Sequence, residues 1–499
     1  MTDDATADHG VLFPLVDGRR STQLTSRAVF AEATRAVAPD VAHAIESSRN
    51  WHRDYVGVLA DVEAASASSA KSAVLIARDG LNALHRHLVF ARDGAESPLA
   101  DALRQHAEPV METTTVMGEG EHPGALTVPY RGRMLAGDAL RARLDAWVAA
   151  GVVEPSFAAA IGLVVDNPDW LNARDLNVAL IGAAAEMGPV DAISRWGATV
   201  LAVDVARPHV WERIVRAAKN GSGRLHAPVR AGADHGDVVN SAGADLLTQL
   251  PEIRAWLDTF IGPLVVGNYG YADGAAFVRV AAAADALCAD LCTSRSDTSL
   301  AYLASPTDVF AVPAAVVDAA RDKGLTGRRG RIVGSPLRVL TGGRLFTPNY
   351  VRAVESDDGQ RFGLADSVVP QQGPNYALAK RLQRWRAVLA RESVVTSANV
   401  APATRTRSVT KNRVLAAAYA GASSFGVEIF DVDTSSTLMA AKLIHDLRNP
   451  AAAARPSTPL SHPLGLFVEG AAHGGLWRLP WEPRSVLPLA AVEGLVRRR

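Results

Sequence analysis

The sequence predicts a doubly wound α/β protein preceded by a mainly helical region. Three observations carry this. From residue 176 onward, short apolar runs alternate with segments of helical periodicity. The first of these strand–helix junctions is rich in glycine and alanine. Residues 1–172 instead place apolar side chains mostly at three-to-four spacing.

The helical region is read from residues 26–66 and from "GDALRARLDAWVAAGVVEPSFAAAIGLVV" (137–165), with a loop and a short strand in "GEGEHPGALTVPYRGR" (118–133) between them. "DNPDWLNARD" (166–175) marks the boundary, dividing the chain into 1–172 and 173–499. Beyond it, "LNVALIG" (176–182) is a buried strand, "AEMGPVDAISRWG" (185–197) a helix and "ATVLAVD" (198–204) the next strand. A unit of this length implies a parallel pair with a crossover helix. "LPEIRAWLDTFIG", "PLVVGNYG", "AAFVRVAAAADALCADLC" and "TSLAYLAS" continue the alternation up to Ser305.

Composition limits the function classes. The chain has 499 residues, 48% hydrophobic and 21% charged, with a formal net charge of +0. That is ordinary globular composition, with no overall pull toward nucleic acid or anionic lipid. No apolar run is long enough for a membrane span. The polar, acidic "MTDDATADHG" does not resemble a targeting segment, so the cytoplasm is the expected compartment. Cys288 and Cys292, the only cysteines, lie one helical turn apart and read as core-facing thiols. His85 and His87, at i, i+2, point apart on a helix, so no metal site is expected there. His473 is expected at the surface.

The junction "GAAAEMG" (182–188) has the features a dinucleotide's pyrophosphate needs: a tight turn, close backbone approach and a following helix. Gly182, Ala183, Met187 and Gly188 are the candidate residues. Asp204 closes the second strand 204 − 182 = 22 residues on, the place of the carboxylate that takes the ribose hydroxyls. Its charge favours NAD over NADP, and Arg207 weakens that preference. A plain α/β turn without ligand is the other reading.

"GPNYALAK" (373–380) pairs Tyr376 with Lys380 at i, i+4, on one face of a helix. The chain has 8 tyrosines and six lysines, so about 0.1 such pairs are expected by chance. An ammonium beside a phenol favours phenolate and lowers its pKa from about 10 toward a range useful for proton transfer.

In this order, residues 176–480 resemble the short-chain dehydrogenase/reductase family. "VALIGAAAEMG" is similar to that family's first strand and Gly-x-x-x-Gly-x-Gly turn, with Glu186 in place of the middle glycine. "PLVVGNYG" matches its Asn-Asn-Ala-Gly segment through Asn268 and Gly270. "TSLAYLAS" resembles the fifth strand, which ends on the catalytic serine, and "YALAK" the catalytic Tyr-x-x-x-Lys. "VVTSANVAPATRT" (394–406) is similar to the sixth strand and its Pro-Gly loop, with Pro402, Thr404 and Thr406 as cofactor contacts and Ala403 for the glycine. "LGLFVEGAAHGG" (464–475) looks like the last strand.

The resemblance implies a Rossmann-like domain binding NAD, with NADP as the variant. It also implies conversion between a carbonyl and an alcohol, with Tyr376 as general acid/base and Lys380 on the nicotinamide ribose. The serine is Ser305, far upstream of the tyrosine in sequence, or Ser367, nine before it. Nothing in 272–304 supplies the family's asparagine. Residues 306–366 are an insertion, expected to cap the substrate mouth. Between Arg321 and Arg352 they carry eight basic residues against one acid, which suggests a carrier-bound or bulky carbonyl substrate. "YVRAVESDDGQRFGLA" (350–365) reads as a hairpin around Asp-Gly. The extra regions equally suit contacts in a homo-oligomer. The alternative is a catalytically weak dinucleotide-binding protein with an assembly or regulatory role.

Overall fold

The computed structural model describes residues 9–104, 111–326 and 335–497. Its centre is a seven-stranded sheet built from β1 (Met111–Met117), β2 (Asn177–Ile181), β3 (Thr199–Val203), β4 (Arg224–Arg230), β5 (Leu264–Asn268), β6 (Thr298–Ala304) and β7 (Thr396–Val400). The strand order is β7-β6-β5-β2-β3-β4-β1. Only β1 runs antiparallel to its neighbour. Without β1 this is the order of the Rossmann-like doubly wound sheet. The order reverses between β2 and β5, and the crevice beyond their C-terminal ends is where such sheets place ligands.

Both faces of the sheet are covered, which explains why the strands read as continuous apolar runs. Successive side chains still alternate between two cores. Ala179, Ile181, Leu201 and Val203 face one; Val178, Leu180, Val200 and Ala202 face the other. The region before the boundary contributes to both cores and, through β1, to the sheet itself. The division drawn after Asn172 therefore coincides with no break in the packing.

Three long helices position the crevice: α1 (Trp51–Ala67), α2 (Ala275–Ser294) and α3 (Gly373–Ala390). The last strand expected at 464–475 is not formed. Pro463–Phe467 is a 3-10 helix, and Gly470, Gly474 and Gly475 take left-handed backbone angles that no strand accommodates. Loop segments finish the β7 edge instead, with Thr396 N donating to Ala454 O at 2.9 Å and Ala472 N to Val400 O at 2.9 Å. His473 is fully buried rather than exposed. Its Nε2 lies 2.9 Å from Glu154 Oε1, and Gly475 N donates to its Nδ1 at 3.1 Å.

The insertion holds a small antiparallel sheet of Val309–Pro313, Arg361–Asp366 and Ala353–Glu355. The expected hairpin is present, with Gly359 at φ +81°. Of the described residues of the insertion, Pro306 and Thr307 line the crevice and those of 308–366 do not. Val309–Val312 are buried, and Phe310 packs on Trp477 with centroids 5.2 Å apart, so hydrophobic burial draws the segment inward. Of the arginines proposed to meet a carrier, Arg328, Arg329 and Arg331 lie outside the described residues. Arg352 pairs with Asp61, and Lys323 donates to Ala150 O. No described helix is long and apolar enough to cross a membrane.

Candidate functional site

A cleft of about 640 Å³ opens where the C-terminal ends of β5, β6 and β7 meet the start of α3. Ser305, Tyr376 and Lys380 line it, together with Met187 from the β2 turn and Pro402, Thr404 and Thr406 from the loop after β7. Chain topology explains how Ser305 reaches Tyr376 despite the long segment between them. The insertion leaves after Ser305 and returns beside its point of exit, where Ser367 N donates to Asp308 O at 3.2 Å. The serine stays at the end of β6 while the intervening segment loops away.

Ser305 and Tyr376 line the same cleft, with the serine hydroxyl near enough to the phenol to lower its pKa. Its hydroxyl also lies 2.8 Å from Thr307 Oγ1 and accepts from Thr307 N at 3.3 Å. Ser367 is buried outside the cleft lining, and its Oγ has no hydrogen-bond partner among the described residues. Of the two serines, the structure brings Ser305 to the tyrosine.

The phenol departs from expectation. Burial pushes Tyr376 up to about 12, the nearby Ser305 hydroxyl pulls it partly back, and Asp308 raises it further. Lys380 turns its ammonium elsewhere, donating to Leu303 O at 3.2 Å and Gln383 Oε1 at 3.1 Å. It sits 5.9 Å from the Phe277 ring centroid. Burial pushes Lys380 down to about 8, against an opposing pull from Asp308. The folded chain therefore holds this proton less tightly than the unfolded chain does. The resulting destabilisation is greatest below pH 8 and fades as pH rises toward the ordinary value of 10.5. Lys380→Met is expected to raise the unfolding free energy at pH 7 by on the order of 2 kcal/mol, after allowing for the residual exposure of the amine. The difference from the parent should largely vanish near pH 10; chemical denaturation at the two pH values measures it.

The remaining candidates lie behind the cleft, at the switch point of the sheet. Gly182 has φ +73°, and a Cβ there would meet Gly270 Cα at 2.7 Å. The close approach of the two glycines lets the β2 turn pack against the exit of β5. Ala183 is buried, and Gly188 N closes the turn on Ala185 O at 2.9 Å. Asp204 folds back onto this turn. Its Oδ2 accepts from Ala184 N at 2.9 Å and its Oδ1 from Val205 N at 2.8 Å. Burial raises its pKa, and the two amides pull the other way. Arg213 holds the turn from outside through Ala184 O at 2.7 Å. Asn268 is buried at the end of β5, with no hydrogen-bond partner for its Oδ1 among the described residues. Thr404 Oγ1 donates to Pro402 O at 2.8 Å. The predicted crossover helix is short, only Val190–Arg195.

Sequence reasoning missed the groups that stiffen the site. Arg381 and Arg384 of α3 are buried against Glu63 of α1 and Asp308. The available signal was two arginines among Leu378, Leu382 and Trp385, on the side of the helix that faces the core. His52 and Tyr271 also line the cleft, and Tyr271 donates to Asp273 Oδ1 at 2.9 Å. Comparison with family models, curated proteins and solved structures gives no match.

Proposed function

We propose that this protein is a nicotinamide-dinucleotide-dependent oxidoreductase that interconverts a carbonyl and an alcohol in the cleft at Tyr376. The observation that carries the reading is the meeting of Ser305 and Tyr376, far apart in sequence, in one cleft with Lys380 one helical turn away. The residues at the switch point fit the cofactor. Each Asp204 oxygen accepts one backbone amide and keeps a second lone pair for a ribose hydroxyl. Met187 from that turn and Pro402, Thr404 and Thr406 from the loop after β7 line the same cleft as Tyr376.

The bound cofactor supplies hydride in reduction and accepts it in oxidation. In reduction, Ser305 donates a hydrogen bond to the substrate oxygen and fixes its position. Tyr376 gives that oxygen its proton as negative charge develops, completing the alcohol. Lys380, donating to Leu303 O, carries a positive charge at pH below about 8 and would hold the ribose of the nicotinamide. In oxidation Tyr376 takes the proton back. Asp204 disfavours a 2′-phosphate, which points to NAD.

Asp204→Ala is expected to weaken NADH binding by about ten-fold or more, the effect of losing hydrogen bonds to a charged acceptor. Titration calorimetry measures it, and unchanged binding would count strongly against the reading. A second reading, binding without turnover, draws on the high phenol pKa and on the absence of an asparagine from 272–304. NADH that binds but is never oxidised across a ketone panel would favour it.

A further inference from the structure

The turn after β2 carries a carboxylate next in sequence to Met187, a residue of the cleft lining. Glu186 occupies its middle, and its Oε2 accepts from Arg407 N at 2.8 Å while its Oε1 lies 3.1 Å from Arg407 Nε. The turn beneath is rigid, pinned by Asp204 at Ala184 N and by Arg213 at Ala184 O. Arg407 opens the short helix Arg407–Lys411, whose N-cap Thr406 makes no side-chain cap bond. Glu186 takes over that capping from 221 residues away in sequence. Thr404, Thr406, Ser408 and Asn412, on either side of Arg407, form a wall of the cleft. The ion pair thus ties the phosphate-side turn to the wall facing Tyr376. It lies at the rim, with the Glu186 side chain 25% exposed and that of Arg407 82% exposed.

We propose that Glu186 and Arg407 form a latch that governs cofactor entry, in which the pyrophosphate displaces the Glu186 carboxylate from the Arg407 guanidinium. This rests on the dinucleotide reading above. The chemistry is competition between two anions for one cation. A guanidinium matches a phosphate's paired oxygens as well as a carboxylate's, and the pyrophosphate carries more charge. An exposed ion pair is weak enough to be exchanged. While Glu186 holds Arg407, the turn presents negative charge toward the ligand; once displaced, the same arginine becomes a ligand contact. Glu186 therefore lowers cofactor affinity, and its removal is a gain-of-binding change.

The test is NADH titration, by fluorescence, of the full-length protein and five variants. Glu186→Gln is expected to tighten NADH binding by about ten-fold, with Glu186→Gly as a second variant lacking the side chain altogether. Arg407→Gln alone should weaken binding by less than about three-fold, because Glu186 already occupies that guanidinium. In the Glu186→Gln/Arg407→Gln double variant the ten-fold gain should vanish. Binding that is unchanged or weaker in both Glu186 variants overturns the latch, and so does a gain that persists undiminished in the double variant. Asp204→Ala separates the two layers of the argument. If it weakens NADH binding while the Glu186 variants do nothing, the latch falls and the dinucleotide reading stands. If neither the parent nor the Glu186 variants bind NADH, both fall. NADH binding only after Glu186 is replaced supports the latch in its strongest form.

Discussion

On the proposed chemistry, Tyr376→Phe is expected to lower carbonyl turnover by about 10²–10⁴-fold while changing NADH affinity by less than about three-fold, because it removes the phenol that would give the substrate its proton. The change is conservative for the fold. The ring packs beside Phe277 with centroids 5.7 Å apart, and phenylalanine keeps that contact. Single-turnover reduction of a ketone panel with NADH is the measurement, and a variant with parental rates would end the assignment. The pH profile adds a second check. With the phenol pushed up to about 12, Tyr376 stays protonated across the neutral range. Reduction should therefore be nearly flat between pH 6 and pH 8. Oxidation, which needs the phenolate, should be slow at pH 7 and rise steadily with pH. A reduction rate falling sharply between pH 6 and pH 8 would point to a different proton donor.

What the sequence revealed of this molecule follows what local patterning encodes. β2, β3, β5 and β6 are buried on both faces, so each is a short apolar run that announces itself. β4 is hidden because "RLHAPVR" contains a histidine, two arginines and Pro228, a composition that argues against an interior strand. β1 left a weak trace, the β-branched "METTTVM", inside a region that is mainly helical. The strand expected at 464–475 came from the resemblance, and its glycines bend the chain away. Tyr376 and Lys380 were legible because their relation is local, one turn of one helix. Ser305 was legible because a strand end fixes its position whatever the chain does next. The direction of the Tyr376 pKa was not, since it depends on burial and on where Lys380 points, both tertiary facts. The buried charges were the least visible, because arginine and glutamate in a helical stretch read as solvated face, and their pairing joins residues 318 positions apart.

Those charges carry the largest stability effect. Glu63, Asp308, Arg381 and Arg384 form a buried quartet of two acids and two bases. Arg381 bridges Glu63 and Asp308, the latter at 2.9 Å, and Arg384 bridges the same two acids at 2.7 and 2.9 Å. Burial works against ionisation of Asp308, but Arg381 and Arg384 overcome it and hold its carboxyl below the usual range. Glu63→Gln leaves a buried guanidinium charge without its partner, which costs about 3–5 kcal/mol. That is a large share of a typical stability of about 5–15 kcal/mol. Glu63→Leu combined with Arg384→Met removes one charge of each sign and should cost less than Glu63→Gln alone, since desolvation of the lost pair no longer opposes folding. Chemical denaturation of the two variants decides it; a double variant less stable than the single would show that the charges contribute more than their mutual neutralisation. The stability owed to Asp308 is present at neutral pH and should be lost as pH falls through its depressed value. The consequence reaches the cleft. Asp308 lies three residues after Ser305, and its carboxylate is held by both arginines of the helix that bears Tyr376. Asp308→Asn should therefore loosen the Ser305–Tyr376 pairing as well as the fold. A site built on a loop and a helix stays in register because a salt-bridge quartet, closed by Glu63 from the mainly helical N-terminal region, joins the two.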